Sequence, residues 1–134
     1  TSFGYFDDDR LHQLALNNMA DCVKPGGKLV LDFMNSAHIE ANLVPENTVT
    51  TAIATYKMNR KIENSTIVKS IQVSHNGEVD YFEERVRAFS ARELTMMLQN
   101  AGLVDVQVKG GYDLCAYRML DSERMIFIAR KPIS

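Results

Sequence analysis

The chain has 134 residues, 46% hydrophobic and 24% charged, with a formal net charge of −2. That length holds one domain with a real core, and the composition is ordinary for a soluble globular protein. The near-neutral balance gives no electrostatic basis for binding nucleic acid or an anionic membrane. Two cysteines, Cys22 and Cys115, suggest neither a disulfide framework nor a metal site.

In chain order, Asp7, Asp8 and Asp9 offer an N-cap and negative charge where a helix dipole is positive. Leu11, Leu14, Ala15, Asn18, Met19 and Cys22 follow at spacings of three and four, and are expected to form the buried stripe of that helix, broken only by Asn18. Cys22 is expected on this face as a small hydrophobe. Pro25 cannot continue the helix, and Gly26 or Gly27 can take the left-handed conformation that closes it. Residues Lys28 to Met34 then form a nearly continuous apolar run, which suits a strand buried on both faces of a parallel sheet.

From 49 to 88 the pattern changes. Thr50 to Tyr56 and Thr66 to Val73 are rich in β-branched and aromatic residues, and Asn76-Gly77 separates the second run from Glu78 to Phe82. Asn-Gly supplies the positive φ angles of a two-residue hairpin turn, and Asn64-Ser65 is a weaker candidate for the turn before it. A three-stranded antiparallel meander is expected here. The basic residues Lys57, Arg60 and Lys61 fall on it as a solvated edge.

Ser90-Ala91-Arg92-Glu93 is a capping box. Leu94, Met97, Leu98 and Ala101 form the apolar stripe of the helix it opens, and Gly102 stops that helix. Val104 to Val108 and Met125 to Ala129 are short apolar strands, joined by a loop that contains Gly110-Gly111 and the stretch Tyr112 to Tyr117. No internal repeat or interdomain linker is visible.

The run Val23-Lys24-Pro25-Gly26-Gly27-Lys28-Leu29-Val30-Leu31-Asp32-Phe33-Met34-Asn35 resembles the post-helix "LKPGG" motif of class I S-adenosylmethionine (SAM) methyltransferases. Thr1 to Phe6 stands about twenty residues before it, and Phe89-Ser90 to Gly102 follows at the family's distance. The resemblance implies an α/β fold: the C-terminal part of a Rossmann-like methyltransferase domain, as a single partial domain over 1–134 with the meander at 49–88 inserted. In that family a glycine-rich loop and an acidic strand end hold the cofactor ahead of this region. No Asp/Glu-x-Gly-x-Gly occurs in these 134 residues, and Gly26-Gly27 follows a helix rather than a strand. The implied function is therefore a carboxy-terminal methyltransferase half that uses SAM to methylate a small-molecule acceptor, inactive alone. The alternative is a non-enzymatic ligand-binding or dimerisation module.

Methyl transfer from a sulfonium is an in-line displacement that depends mainly on alignment and exclusion of water, so no catalytic residue is nominated. In open α/β sheets ligands bind outside the carboxyl ends of the strands, and two segments belong there. In the first, the resemblance makes Ser2, Phe3 and Gly4 cofactor-side residues, with Gly4 permitting close backbone approach. Tyr5 either borders the acceptor or caps the core beside the helix, and packing is the stronger alternative for Phe3. In the second segment, Asn35 is a candidate hydrogen-bond partner of an acceptor and His38 a candidate base, against a solvated loop histidine. Asp32 is either structural or a pocket residue. His12 and His75 have weaker claims. Arg85 and Arg87 share a strand face, where Arg87 is the candidate clamp for an acceptor anion and cross-strand pairing with acids such as Glu83 is the alternative. Tyr112 and Tyr117 border the acceptor or the surface, and Tyr117 is carried as a substrate-binding candidate.

An unpaired apolar edge on the Lys28–Met34 strand invites another chain, so a homo-oligomer through that edge is expected. No apolar run approaches the ~20 residues of a membrane span and no signal-like amino terminus is present. With reduced cysteines, a cytoplasmic protein is expected.

Overall fold

The computed structural model describes residues 2–133; Thr1, which opens the first candidate segment, lies outside them. The elements are α1 (Asp9–Cys22), β1 (Lys28–Met34), α2 (Ser36–Ala41), β2 (Glu46–Thr50), β3 (Thr55–Glu63), β4 (Thr66–His75), β5 (Glu78–Arg87), α3 (Ala91–Asn100), β6 (Val104–Lys109) and β7 (Arg124–Arg130). They form two compact units: the meander, Asn42–Ala88, and a helix-and-sheet unit made of the residues on either side of it.

The helix-and-sheet unit is built on a three-stranded sheet of order β1-β7-β6, with the reversed strand β7 in the centre and antiparallel to both neighbours. Register places Leu29, Leu31 and Phe33 opposite Ala129, Phe127 and Met125, and all six are buried. The intervening residues Lys28 and Val30 are exposed, so β1 alternates between a buried and an open face. This corrects the reading of a strand buried on both sides: the described residues cover one face of β1, and Val30 on the other is 61% exposed. Among the described residues β1 pairs only with β7, which leaves its other edge open.

Helix α1 starts where the acids predicted, with Asp8 as N-cap accepting the Arg10 N–H. Its buried face is not the expected stripe. His12, Leu16 and Ala20 point inward, while Leu11, Leu14, Met19 and Cys22 are exposed. The physical reason is that His12 buries without losing a hydrogen bond. Its Nε2 accepts the Phe6 N–H at 3.0 Å and its Nδ1 meets Asp9 at 3.2 Å. Its ring lies 5.1–5.4 Å from those of Phe3, Phe6 and Phe89, within the range of favourable aromatic contact. A residue counted as polar therefore anchors the core.

Helix α1 ends at Cys22 with Val23 as an extended C-cap, ahead of Pro25. The expected left-handed glycine therefore does not close it; Gly26 and Gly27 shape the turn into β1 instead. Gly26 has φ +79°, and a Cβ on Gly27 would sit 2.9 Å from the Lys24 carbonyl. Gly26 N–H donates to Lys131 O and Lys131 N–H to Gly27 O, so the turn continues the β1–β7 ladder. Lys131 Nζ also donates to the Ala20 carbonyl at the carboxyl end of α1, where a cation is favourable. At α3 both halves of the Ser90–Glu93 capping box are made, and Leu94 and Leu98 are fully buried.

The meander has four strands rather than three, in the order β2-β3-β4-β5. The expected strand over Thr50 to Tyr56 is interrupted by a turn, because the Thr51 hydroxyl accepts the Ala54 N–H and the Thr51 N–H donates to Ala54 O. The next two turns are two-residue hairpins with positive φ at Asn64 (51°), Ser65 (57°), Asn76 (48°) and Gly77 (78°), the signature of type I′. Helix α2 was not anticipated.

Candidate acceptor-side site

At its carboxyl end β1 carries Asp32, and Asn35 follows just beyond it; the β6–β7 loop, residues 110–123, folds back on both. Asp32 Oδ1 accepts from Arg124 Nε at 2.6 Å and Oδ2 from the Tyr112 hydroxyl at 2.9 Å. The Arg124 guanidinium lies 5.5 Å from the centre of the Tyr112 ring, a cation–π contact. The Asp32 carboxylate holds the phenolic proton and pushes the Tyr112 hydroxyl above its ordinary value of 10.0. Asp32 is thus engaged in an ion pair with Arg124 and a hydrogen bond from Tyr112.

Asn35 is fully buried and its side chain is saturated. Nδ2 donates to Met119 O at 2.8 Å and Ser122 O at 2.7 Å, and Oδ1 accepts from the Tyr117 hydroxyl at 3.3 Å. Its backbone N–H donates to Glu123 O, and its carbonyl accepts the Ile39 N–H that starts α2. An amide used in this way has no donor left for an acceptor molecule; it positions the loop instead. The Tyr117 hydroxyl is its partner, and burial raises that phenol above its ordinary value. The His38 Nδ1 lies 2.7 Å from Leu120 O, a third tie between the β1 exit and the same loop.

The loop itself borders an open groove of about 510 Å³ lined by Gly110, Tyr112, Cys115, Arg118, Ser122 and Arg124. Its base admits no side chain at Gly110, where a Cβ would lie 2.4 Å from Ser122 Oγ. Next to Asn35, Ser36 is buried and its hydroxyl is the one buried side-chain polar group without a hydrogen-bond partner among the described residues. An orphaned hydroxyl costs stability unless water or a ligand meets it. The sequence gives no signal for it, since serine after a strand is commonplace.

The amino-terminal candidates divide. Phe3 is buried, with its ring 6.3 Å from Phe33 and 5.8 Å from Phe89, so packing describes it. Gly4 is buried at φ 101°, a conformation that favours glycine. Ser2 and Tyr5 are exposed. Arg87 belongs to the meander, where its Nη1 donates to Ser65 O and Ala88 O, while Arg85 pairs with Glu83 at 2.7 Å. The structure thus gathers Asn35, His38 and Tyr117 around one loop. Gly26 and Gly27 are taken up by the turn that continues the β1–β7 ladder.

No protein-family model matches the chain, and no curated protein matches it in sequence. Solved structures do. A SAM-dependent methyltransferase from Clostridium acetobutylicum superposes with TM-score 0.81 at 13% identity, over 98% of this chain and 55% of its own. The CcbJ methyltransferase from Streptomyces caelestis gives 0.74 at 18% identity, over 95% and 56%. SAM-bound CalS10, an amino pentose methyltransferase from Micromonospora echinaspora, gives 0.58 at 16% identity, over 96% and 53%. The chain spans about half the length of each, and the likeness is one of fold. Among the described residues no helix is long and apolar enough to cross a membrane. With its reversed central strand and order β1-β7-β6, the chain has the fold of the carboxy-terminal half of class I SAM-dependent methyltransferases.

Proposed function

We propose that this chain is the acceptor-side half of a SAM-dependent methyltransferase that methylates a small molecule in the cytoplasm, and that it is inactive without a cofactor-binding half. One observation carries the reading: a 0.81 superposition that uses 98% of this chain and only 55% of its neighbour, with no glycine-rich cofactor motif in the sequence. In this reading Ser2 and Gly4 approach the cofactor, with Phe3 as the packed wall behind them. Tyr5, His38 and Tyr117 flank the acceptor, and Asn35 holds the loop that shapes its pocket. The orphaned Ser36 hydroxyl joins them as a hydrogen-bonding group for the acceptor or its water. Two neighbours act on sugars, one on an amino pentose and one as a sugar N-methyltransferase, which makes an amino sugar the first acceptor class to try.

The open edge of β1 is where a parallel strand of the cofactor half would pair. Without that half the edge is free, and the 134-residue chain self-associates through it. A calorimetric titration with S-adenosylhomocysteine tests the reading, with mass measured in parallel. The expected result is no binding by these 134 residues, and micromolar binding once the chain is extended at its amino end through a glycine-rich strand and loop. An extended protein that carries this motif and still does not bind would overturn it.

A further inference from the structure

On one face of the meander, register aligns two rows across three strands. Asn59, Ser70 and Glu83 stand opposite one another on β3, β4 and β5, and Lys57, Gln72 and Tyr81 form the next row. Ser70 is the small residue among long neighbours, and the sheet is hollowed there into a groove of about 370 Å³ lined by Asn59, Ser70, Gln72, Tyr81 and Glu83, with Ile71 and Phe82 between them. Tyr81 is 75% exposed, a large aromatic surface open to solvent. We infer that this groove binds a neutral saccharide.

The chemistry is specific to that class. A sugar ring presents C–H groups on its faces and paired hydroxyls at its rim. The exposed Tyr81 ring is a flat apolar platform for the first. The Asn59 and Gln72 amides, each a donor and an acceptor, suit the second, together with the Ser70 hydroxyl. None of these four side chains has a hydrogen bond to another described residue. Two rows about 7 Å apart along the strands, spanning two strand gaps of about 4.8 Å, give a floor the size of one pyranose ring with its hydroxyls. The charged residue in the groove lining, Glu83, is paired with Arg85 at 2.7 Å on the same face, which favours a neutral ligand. Lys57 stands in the second row outside the lining. The inference rests on the meander alone, so it stands or falls independently of methyl transfer.

The test is a titration of the isotope-labelled 134-residue chain with methyl glucoside and glucosamine, followed by backbone and side-chain amide shifts. Saturable shifts at Asn59, Ser70, Gln72 and Tyr81 are expected for the glucoside, weakened at least tenfold in Tyr81→Ala and in Ser70→Leu, which fills the hollow. Asp80→Ala, on the opposite face of the same strand and outside the groove lining, should leave them unchanged. Glucosamine binding tightly where the glucoside does not would overturn a neutral ligand. So would shifts from benzyl alcohol equal to those from the sugar, or no saturable shift from either sugar.

Discussion

The helix-and-sheet unit and the meander are held by different means. In the first, Phe33, Phe89, Phe127, Leu94 and Leu98 lose essentially all their surface, and they come from strands, a helix and a connecting segment spread along the sequence. In the second, eight of the ten residues of β5 are exposed, and the strands follow one another through tight turns in unbroken register. One unit depends on burial of apolar area and the other on local turn geometry and cross-strand pairs. The same substitution therefore carries different consequences in the two.

The widest gap is expected between two phenylalanines. Phe33→Ala should cost about 3–5 kcal/mol, the transfer and cavity terms together, whereas Phe82→Ala, at 58% exposure, should stay within about 0.5 kcal/mol. Urea unfolding of both variants decides it, and equal losses would break the contrast. Next comes Asn35→Ala, which strands the carbonyls of Met119 and Ser122 and should cost roughly 2–4 kcal/mol. Hydrogen exchange should show faster amides across 116–123, with the meander unchanged.

Within the meander the turns are the sensitive points. Gly77→Ala meets no neighbour within 4 Å but keeps φ +78°, so it should cost about 1–2 kcal/mol through backbone strain alone. Thermal unfolding measures this. Ser36→Ala should run the other way, neutral or stabilising by up to about 1 kcal/mol, because it removes an orphaned hydroxyl; a clear loss would mean that a structural water occupies the site.

The smallest effect is electrostatic and lies at the start of α1. The side chain and then the N–H of Arg10, both bonded to the Asp8 carboxylate, hold it below its ordinary 3.8. A depressed carboxyl stabilises the fold above its unfolded value and loses that contribution as pH falls through the folded one. The urea midpoint should therefore drop below pH 3.8 more steeply in the native chain than in Asp8→Asn.

Much of the local structure was legible. The α1 start among Asp7 to Asp9, its end ahead of Pro25, the α3 capping box and both two-residue hairpin turns follow from side chains that satisfy or shape backbone within a few residues. The misreadings have one character. The face of α1 depended on partners for both nitrogens of His12, and the turn at 51–54 depended on where β3 had to begin. The saturation of Asn35 depended on carbonyls more than eighty residues away.

By itself, then, the sequence determined where most helices and turns begin and end, and the helix-to-strand connector around Lys24-Pro25-Gly26-Gly27, because capping, φ preference and short apolar periodicity act over a few residues. Only the tertiary structure decided which faces are buried and which polar groups are spent. Asp32 is bound to Arg124 across 92 residues and Asn35 holds the loop rather than awaiting a ligand, since a hydrogen-bonding group is claimed by whatever partner the fold brings within 3 Å.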